Sequence, residues 1–179
     1  IATRLSDPPA SQASGSLTDI VVQNANVIER PVGLTILNDF ISAKEEGDLI
    51  SIIDDSPWIT ELTRRVQHYG WKYDYKKKKI TRDSYLGAIP KWAEELALRL
   101  KSSGVLDEMP DQVIVNEYVG KQGISRHMDC KDCFKGPITT ISLAETWGMT
   151  FRKPMAPPFE IYLNRRSATI MDGPARNEW

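Results

Sequence analysis

The chain has 179 residues, with 41% hydrophobic and 26% charged side chains, a balance that suits one globular domain with a sizeable core. Its 23 lysines and arginines nearly cancel 24 acidic residues, which excludes a strong global field toward nucleic acid or a membrane. The sequence has no apolar run long enough to span a bilayer, and its first residues lack the pattern of a secretory signal. We therefore expect a monomer without a membrane partner, cytoplasmic or, in a eukaryote, nuclear.

The N-terminal part of the chain differs in composition from the rest. Residues 1–18 are rich in serine, alanine, proline and glutamine, a composition that cannot offset its ordering entropy and predicts a flexible arm or linker. The pattern becomes apolar at Ile20, so a single domain is expected over residues 19–179. Residues 33–37 look like its first short strand.

Two helices are predicted ahead of a β-rich half. Ser42 and Glu45 have the spacing of a capping box, which predicts a helix that ends near Asp54. Pro90 is typical of a first helical turn, and a second helix should run from there to Gly104. The later strands are predicted at residues 112–119, 138–143, 149–151, 159–163 and 167–171. This spacing favours a sandwich or jelly roll, with the helices supporting a sheet.

The strand at residues 112–119 carries a first pair of candidate site residues. Its two-residue period puts Ile114, Asn116 and Tyr118 on one face. Taken alone, the amide and the phenol are better explained as a pair that satisfy each other or the backbone.

A second pair follows after a glycine-containing bend. In His127-Met128-Asp129 an imidazole and a carboxylate lie on one face of an extended segment. They are two corners of a facial triad, which holds Fe(II) by three protein ligands and leaves three positions open. A lone His-x-Asp is a weak signal, because most chance occurrences are surface pairs or a hydrogen-bonded histidine.

The joint pattern is specific where each fragment is not. The chain resembles the AlkB family of Fe(II)- and 2-oxoglutarate-dependent dioxygenases over about residues 34–179. The resemblance rests on the order and spacing of Arg64-Arg65-Val66-Gln67-His68-Tyr69-Gly70-Trp71, Tyr73-Asp74-Tyr75, Asn116-Glu117-Tyr118, Gly123-Ile124-Ser125, His127-Met128-Asp129, Gly136-Pro137-Ile138, Ser142-Leu143 and Met149-Thr150-Phe151.

The resemblance implies a fold and a metal site. The fold is α+β and mainly β: a double-stranded β-helix, or jelly roll, with supporting N-terminal helices and a nucleotide-recognition lid. His127 and Asp129 are implied as catalytic metal ligands, and Asn116 and Tyr118 as residues that bind 2-oxoglutarate. Fe(II), 2-oxoglutarate and dioxygen are the implied cofactors.

The implied reaction is oxidative demethylation of N-alkylated bases in DNA or RNA, of the 1-methyladenine and 3-methylcytosine type. It is coupled to decarboxylation of 2-oxoglutarate to succinate and releases formaldehyde. Because a base can be reached only outside a duplex stack, aromatic faces and phosphate partners are required. The residues expected to bind substrate are Arg64, Arg65, Tyr69, Trp71, Tyr73 and Tyr75, with the lysines at 76–79 beside them. The other possibility is an ordinary strand with a solvated turn.

The remaining candidates have simpler interpretations. His68 is expected to be structural or a minor substrate contact. Cys130 and Cys133 are too few for a disulfide framework and make only half a zinc site, so we interpret them as structural thiols that pack beside the ligand segment. Lys131 stands where several family members have an acidic group that reads the base, so either Asp132 substitutes or the base differs.

The end of the sequence departs from the family pattern. Residues 172–179 resemble the stretch that leads to the family's distal histidine and to arginines that pair with 2-oxoglutarate. Either the native chain continues past Trp179 with a C-terminal strand that is missing from this sequence, or the domain does not turn over. In the second case it would be a catalytically incomplete nucleic-acid-binding module on the same scaffold.

Overall fold

The computed structural model describes residues 30–179, so the predicted arm at residues 1–18 and the apolar start at Ile20 lie outside the described residues. Within the described range no helix is long and apolar enough to cross a bilayer. The elements in chain order are β1 (Leu34–Leu37), α1 (Ala43–Asp54), β2 (Arg65–Tyr69), a 3-10 turn (Arg82–Ser84), α2 (Lys91–Ser102), β3 (Val113–Glu117), β4 (Ile138–Ile141), β5 (Trp147–Phe151), β6 (Phe159–Leu163), β7 (Ala168–Met171) and α3 (Gly173–Asn177).

Both predicted helices form, and their ends follow from local chemistry. The Ser42 side chain accepts from the Glu45 backbone N–H, and the Glu45 carboxylate accepts from the Ser42 backbone N–H, which confirms the capping box. The second helix begins after Pro90, the N-cap residue, whose backbone is extended and whose side chain makes no capping hydrogen bond. It ends before Gly104, whose φ of +75° suits the residue that follows a helix.

The strands of the described residues pair only in antiparallel fashion, in three groups: β1-β7-β4, β2-β3 and β5-β6. In the three-stranded sheet, β7 is central, with Thr169 opposite Ile36 on one side and Thr140 on the other. All four residues of β7 are buried, because both faces of this strand are covered. The antiparallel groups and the short strands agree with the predicted jelly roll.

Two apolar layers cover the two faces of the central sheet. On one side, Ala168 and Ile170 pack with Leu100 of α2. On the other, Met171 joins Leu163 and a set from β1, β5, β6 and the C-terminal residues: Leu34, Phe151, Ile161, Ala175 and Trp179. The helices therefore support the sheet as predicted, and they also cover one face of the β2-β3 pair.

A third apolar group fixes that covered face. Val115 of β3 packs with Leu49 and Ile53 of α1, and Tyr69 and Trp92 lie against the same group. The Gln67 side-chain amide donates to the backbone oxygens of Ile53, at 2.7 Å, and Ser56, at 3.1 Å. Helices α1 and α2 therefore cover this face of the β2-β3 pair, and the candidate site is on the other face.

Candidate metal and cosubstrate site

The register of β2 and β3 decides which side chains share the site. Val66 lies opposite Asn116, and His68 lies opposite Ile114. Directly opposed residues of antiparallel strands point to the same side. The side chains of Arg64, Val66 and His68 therefore share a face with Ile114, Asn116 and Tyr118, the residues that the sequence predicted to lie together. Arg65, Gln67 and Tyr69 point to the other face, toward the helices.

Arg64 occupies the position between the two predicted cosubstrate residues. Its Nε donates to Oδ1 of Asn116 at 2.7 Å. Its guanidinium carbon lies 6.0 Å from the ring centre of Tyr118, which is buried, and 5.5 Å from the ring centre of Tyr75. Burial raises the pKa of the Tyr118 hydroxyl, and the charge of Arg64 partly offsets that effect. The arginine is therefore turned into the site.

His127 and Asp129 meet in an irregular segment, where the sequence predicted an extended one. His127 Nε2 lies 3.6 Å from Asp129 Oδ1, and Nδ1 lies 2.8 Å from the backbone oxygen of Ser125. A carbonyl can only accept, so in the neutral ring Nδ1 carries the proton and Nε2 has the lone pair that a metal would bind. Contact with Asp129 raises the pKa of His127, helped by Ser125 and opposed by burial and by Arg64.

An aromatic wall, defined here as Tyr73, Tyr75 and Phe134, stands next to these groups. The Tyr73 ring centre lies 5.1 Å from that of Tyr75 and 5.5 Å from that of Phe134. Burial raises the pKa of Tyr73, and the negative charge of Asp129 adds to this, so Tyr73 lies within electrostatic range of this predicted metal ligand. His68 lies next to the aromatic wall, with its ring centre 5.7 Å from that of Tyr75. Phe134 was missed from the sequence, because the turn that returns it to Tyr73 carries no local signal.

His68 is buried at 9% exposure, and its Nδ1 has no hydrogen-bond partner. Burial lowers its pKa, and Lys72 and Arg64 lower it further, so its environment favours the neutral ring. This placement agrees with the expectation that His68 is structural or a minor substrate contact.

Three of the predicted substrate residues lie apart from the site. Arg65 pairs with Glu117 and, at 3.5 Å, with Asp54, and it stacks over Trp58 with its guanidinium carbon 4.2 Å from the ring centre. The Tyr69 ring packs edge-on against Trp92 at 5.6 Å, and its hydroxyl donates to Gln67. Both lie on the helix-facing side of the ladder, which the residue types alone could not show.

Trp71 follows the end of β2 and makes a different set of contacts. Its ring centre lies 4.8 Å from that of Tyr85, its Nε1 donates to Asp111, and it lines a cavity of about 300 Å³ together with Arg82 and Cys133. Tyr73 and Arg64 lie within electrostatic range of the predicted metal ligands, and Tyr75 contacts both of them. Arg65, Tyr69 and Trp71 have their contacts outside that group.

The interpretation of Cys130 and Cys133 as thiols is wrong, because the two form a disulfide. The backbone N–H groups of Cys133 and Phe134 both donate to the Cys130 oxygen, and this turn brings the two Cα atoms to 5.2 Å, within bridging range. The backbone oxygen of Lys78 lies 3.9 and 3.7 Å from the two sulfur atoms. The turn after Asp129 is thus packed against the lysine loop at residues 76–79.

Lys131 also has a structural contact. Its Nζ donates to the backbone oxygen of Asn177 at 3.0 Å, which ties the ligand segment to α3. Asp132 is exposed beside it. Whether Asp132 substitutes as a base reader stays a prediction.

The donor set fits Fe(II) in part. His127 offers a free imidazole nitrogen, and Asp129 a carboxylate, the two ligand types of a facial triad. Within residues 30–179 no three side chains of histidine, cysteine, aspartate or glutamate lie close enough together to hold a metal, so the described residues supply two ligands. The half-buried Arg64 beside Asn116 and Tyr118 suits an anionic cosubstrate such as 2-oxoglutarate.

The comparisons with known proteins agree with this geometry. A model of the 2OG-Fe(II) oxygenase superfamily matches residues 33–179. The chain belongs to the 2OG-Fe(II) oxygenase superfamily. Members of this superfamily are dioxygenases that use Fe(II), 2-oxoglutarate and O2, so the predicted enzyme class and cofactors are confirmed.

The relatives of this oxygenase identify it as AlkB-like. It is 30% identical over 168 residues to the tRNA (carboxymethyluridine(34)-5-O)-methyltransferase alkbh8 of Xenopus tropicalis, with 89% of this chain covered but only 26% of the relative. It is 31% identical over 153 residues to the uncharacterized protein L905 of Acanthamoeba polyphaga mimivirus, with 82% of this chain and 70% of that protein covered. The chain thus spans about a quarter of the length of the tRNA methyltransferase.

Two further comparisons bear on the family and the fold. The chain is 28% identical over 155 residues to the DNA N6-methyl adenine demethylase of Caenorhabditis elegans, covering 82% of this chain and 53% of that protein. The solved structure of OsALKBH1 superposes with a TM-score of 0.67 at 17% identity, covering 83% of this chain and 82% of that one. At this identity the match shows the fold alone, and it confirms the predicted oxygenase fold.

Proposed function

We propose that this AlkB-like oxygenase removes methyl groups from N-alkylated bases in nucleic acid, of the 1-methyladenine and 3-methylcytosine type. The reaction converts 2-oxoglutarate to succinate and carbon dioxide and releases the methyl carbon as formaldehyde. The observation that supports the proposal is the His127–Asp129 pair, at 3.6 Å, within electrostatic range of Arg64, which hydrogen-bonds to Asn116.

Four residues have distinct roles in this proposal. His127, through Nε2, and Asp129 hold Fe(II), and Asn116 and Tyr118 hold 2-oxoglutarate. Bound together, the metal and the cosubstrate supply the activation of dioxygen that oxidises the methyl group. The protein contributes orientation: the backbone oxygen of Ser125 fixes the His127 tautomer, and the buried Tyr118 keeps water away from one side of the site.

The aromatic wall supports a nucleic-acid base as the substrate. A base that has left the stack needs a flat apolar partner, and the paired rings of Tyr73 and Tyr75 lie within electrostatic range of Asp129, which acts on Tyr73. The lysine loop at residues 76–79 is exposed beside them and provides positive charge for phosphate groups. The names of two relatives, a tRNA methyltransferase and a DNA demethylase, agree with nucleic acid as the substrate class.

The test is formaldehyde release by the full-length protein with Fe(II), ascorbate and 2-oxoglutarate. The oligonucleotides are single-stranded DNA and RNA with 1-methyladenine, 3-methylcytosine or N6-methyladenine, plus unmodified strands. We expect formaldehyde in proportion to the methylated base lost. No product from any strand, in a protein that binds Fe(II), would refute the demethylase proposal, and product from N6-methyladenine alone would refute its substrate type.

A matched pair of variants tests the metal assignment. His127→Ala should abolish both Fe(II) binding and formaldehyde release. Met128→Ala changes the residue between the two ligands, whose side chain is 46% exposed, and should keep wild-type activity. Activity that persists in His127→Ala would show that the metal assignment is wrong.

A nucleic-acid-binding module without turnover is the second candidate. It is favoured by one observation, the presence of only two suitable metal ligands together within residues 30–179. Under this alternative, methylated and unmodified strands bind equally, and no formaldehyde forms in the presence of saturating Fe(II).

A further inference from the structure

Two neighbouring arginines have different surroundings. Arg65 is held by two carboxylates, Glu117 and Asp54, and by the Trp58 ring. Arg64 is half-buried, and its hydrogen bond to Asn116 uses only Nε. Arg64 also hydrogen-bonds to Tyr75, which opposes the rise that burial causes in the Tyr75 pKa. Within residues 30–179 no carboxylate lies in ion-pair distance of Arg64, so the charge of this partly desolvated cation is not balanced by an anion of the described residues.

The hydrogen bond also fixes the Asn116 amide. A guanidinium has donors only, so the atom that faces Arg64 must be the amide oxygen. The Nδ2 group, with two donors, therefore points elsewhere in the site. Asn116 and Arg64 together have more donors than Asn116 Oδ1 and Tyr75 take up, and such a set of donors suits a carboxylate.

The position of Arg64 favours the cosubstrate over a phosphate of the nucleic-acid backbone. Its guanidinium lies over the ring faces of Tyr118 and Tyr75, at 6.0 and 5.5 Å, on the β2-β3 face that carries Asn116. A backbone phosphate stays outside the pocket when a base enters it. The exposed lysine loop at residues 76–79 is better placed for phosphates.

We propose that Arg64 binds a carboxylate of 2-oxoglutarate and holds the Asn116 amide in the orientation that donates to the same cosubstrate. This inference rests on the proposed function, because it requires 2-oxoglutarate to bind at Asn116 and Tyr118. It assigns to Arg64 a role in the cosubstrate site, where the sequence predicted a substrate contact.

The experiment measures 2-oxoglutarate binding by calorimetry in full-length protein loaded with Mn(II), which replaces Fe(II) without turnover. Arg64→Met removes the charge, Arg64→Lys keeps it without the planar fork, and Arg65→Lys is the matched control on the other face. We expect Arg64→Met to weaken 2-oxoglutarate binding about ten- to a hundredfold, as for loss of a charge-assisted hydrogen bond. Arg64→Lys should recover part of the loss, and Arg65→Lys should bind as the wild type.

Two further readouts separate this role from a general structural one. Affinity for a methylated oligonucleotide and the melting temperature should stay near wild type in Arg64→Met. In a double-mutant cycle, Arg64→Met and Asn116→Ala should together cost less than the sum of the single losses, because the two act on one ligand.

The outcomes also separate this inference from the proposed function. If Asn116→Ala weakens 2-oxoglutarate binding and Arg64→Met does not, the role of Arg64 is refuted and the proposed site stands. If Arg64→Met weakens oligonucleotide binding alone, Arg64 is a substrate contact and the inference is wrong. If neither variant changes 2-oxoglutarate binding, both the inference and the proposed cosubstrate site are refuted.

Discussion

The buried carboxylate of Glu46 provides the most quantitative test of the structure. Glu46 is 1% exposed, and its oxygens accept from the Ala144 backbone N–H at 2.9 Å and from the Arg165 guanidinium at 2.5 to 3.3 Å. Burial alone would raise the pKa of Glu46, but these donors outweigh it and the pKa is lowered. The contacts join helix α1 to the connection between β4 and β5, through Ala144, and to the connection between β6 and β7, through Arg165.

The two partners should not be equivalent on mutation. Arg165→Met leaves a buried carboxylate with one backbone donor, and removing one partner of such a pair costs about 3 kcal/mol. Glu46→Gln keeps an oxygen for Ala144, and it leaves an arginine whose side chain is already 51% exposed to water. Its cost should be about 1 kcal/mol, as for an ordinary hydrogen bond. The Arg165 variant should therefore melt lower by roughly 4–8 °C than the Glu46 variant.

Urea unfolding at pH 7 with an unchanged m-value measures both costs. The pH dependence supplies a second check. Because the folded pKa of Glu46 is lowered in the wild type, its stabilisation is present at neutral pH and is lost as pH falls through that pKa. In Arg165→Met burial acts with less opposition and raises the pKa, so the gap from wild type should shrink in acid. An equal or larger cost for Glu46→Gln, or a gap that widens in acid, would refute this reasoning.

Three smaller predictions concern backbone and histidines. Gly70→Ala should lower the free energy of unfolding by more than about 2 kcal/mol, because φ is +77° and a Cβ would lie 1.8 Å from the Asp111 backbone oxygen. Gly104 has a similar φ of +75° but open space around it, so Gly104→Ala should cost only about 1 kcal/mol. Urea unfolding measures both costs. Ser42→Ala should lower the free energy of unfolding by about 1 kcal/mol through loss of the cap, and an unchanged urea midpoint would contradict the capping role. In metal-free protein, NMR titration should give the two histidines pKa values on opposite sides of 6.5, with His68 below and His127 above. The contribution of His68 to stability is therefore lost as pH falls, and that of His127 is lost as pH rises. Two midpoints on the same side of 6.5 would show that one of these environments is wrong.

Much of the fold could be predicted from local sequence patterns. The capping box at Ser42 and the stop at Gly104 depend on contacts within one helical turn, and β6 appeared at its predicted bounds, residues 159–163, because alternation and turn residues are local too. The pairing of His127 with Asp129 is likewise a matter of two residues' separation. These features needed no knowledge of the tertiary structure.

The fate of neighbouring side chains could be decided only by long-range pairing. Arg64 and Arg65 are the same residue type, yet the register between β2 and β3, strands about fifty residues apart, sends one into the site and the other onto Glu117. A one-residue shift of that register would exchange them. The same ladder turns Tyr69 toward Trp92.

The sequence by itself determined the superfamily and most of the secondary structure, since those depend on residue type and short spacing. It also predicts two metal ligands, His127 and Asp129. Tertiary structure decided the disulfide between Cys130 and Cys133, the burial of Glu46 and the inward direction of Arg64. The physical reason is that each of these depends on which distant backbone lies opposite. That choice is made by the packing of strands and helices around a shared core.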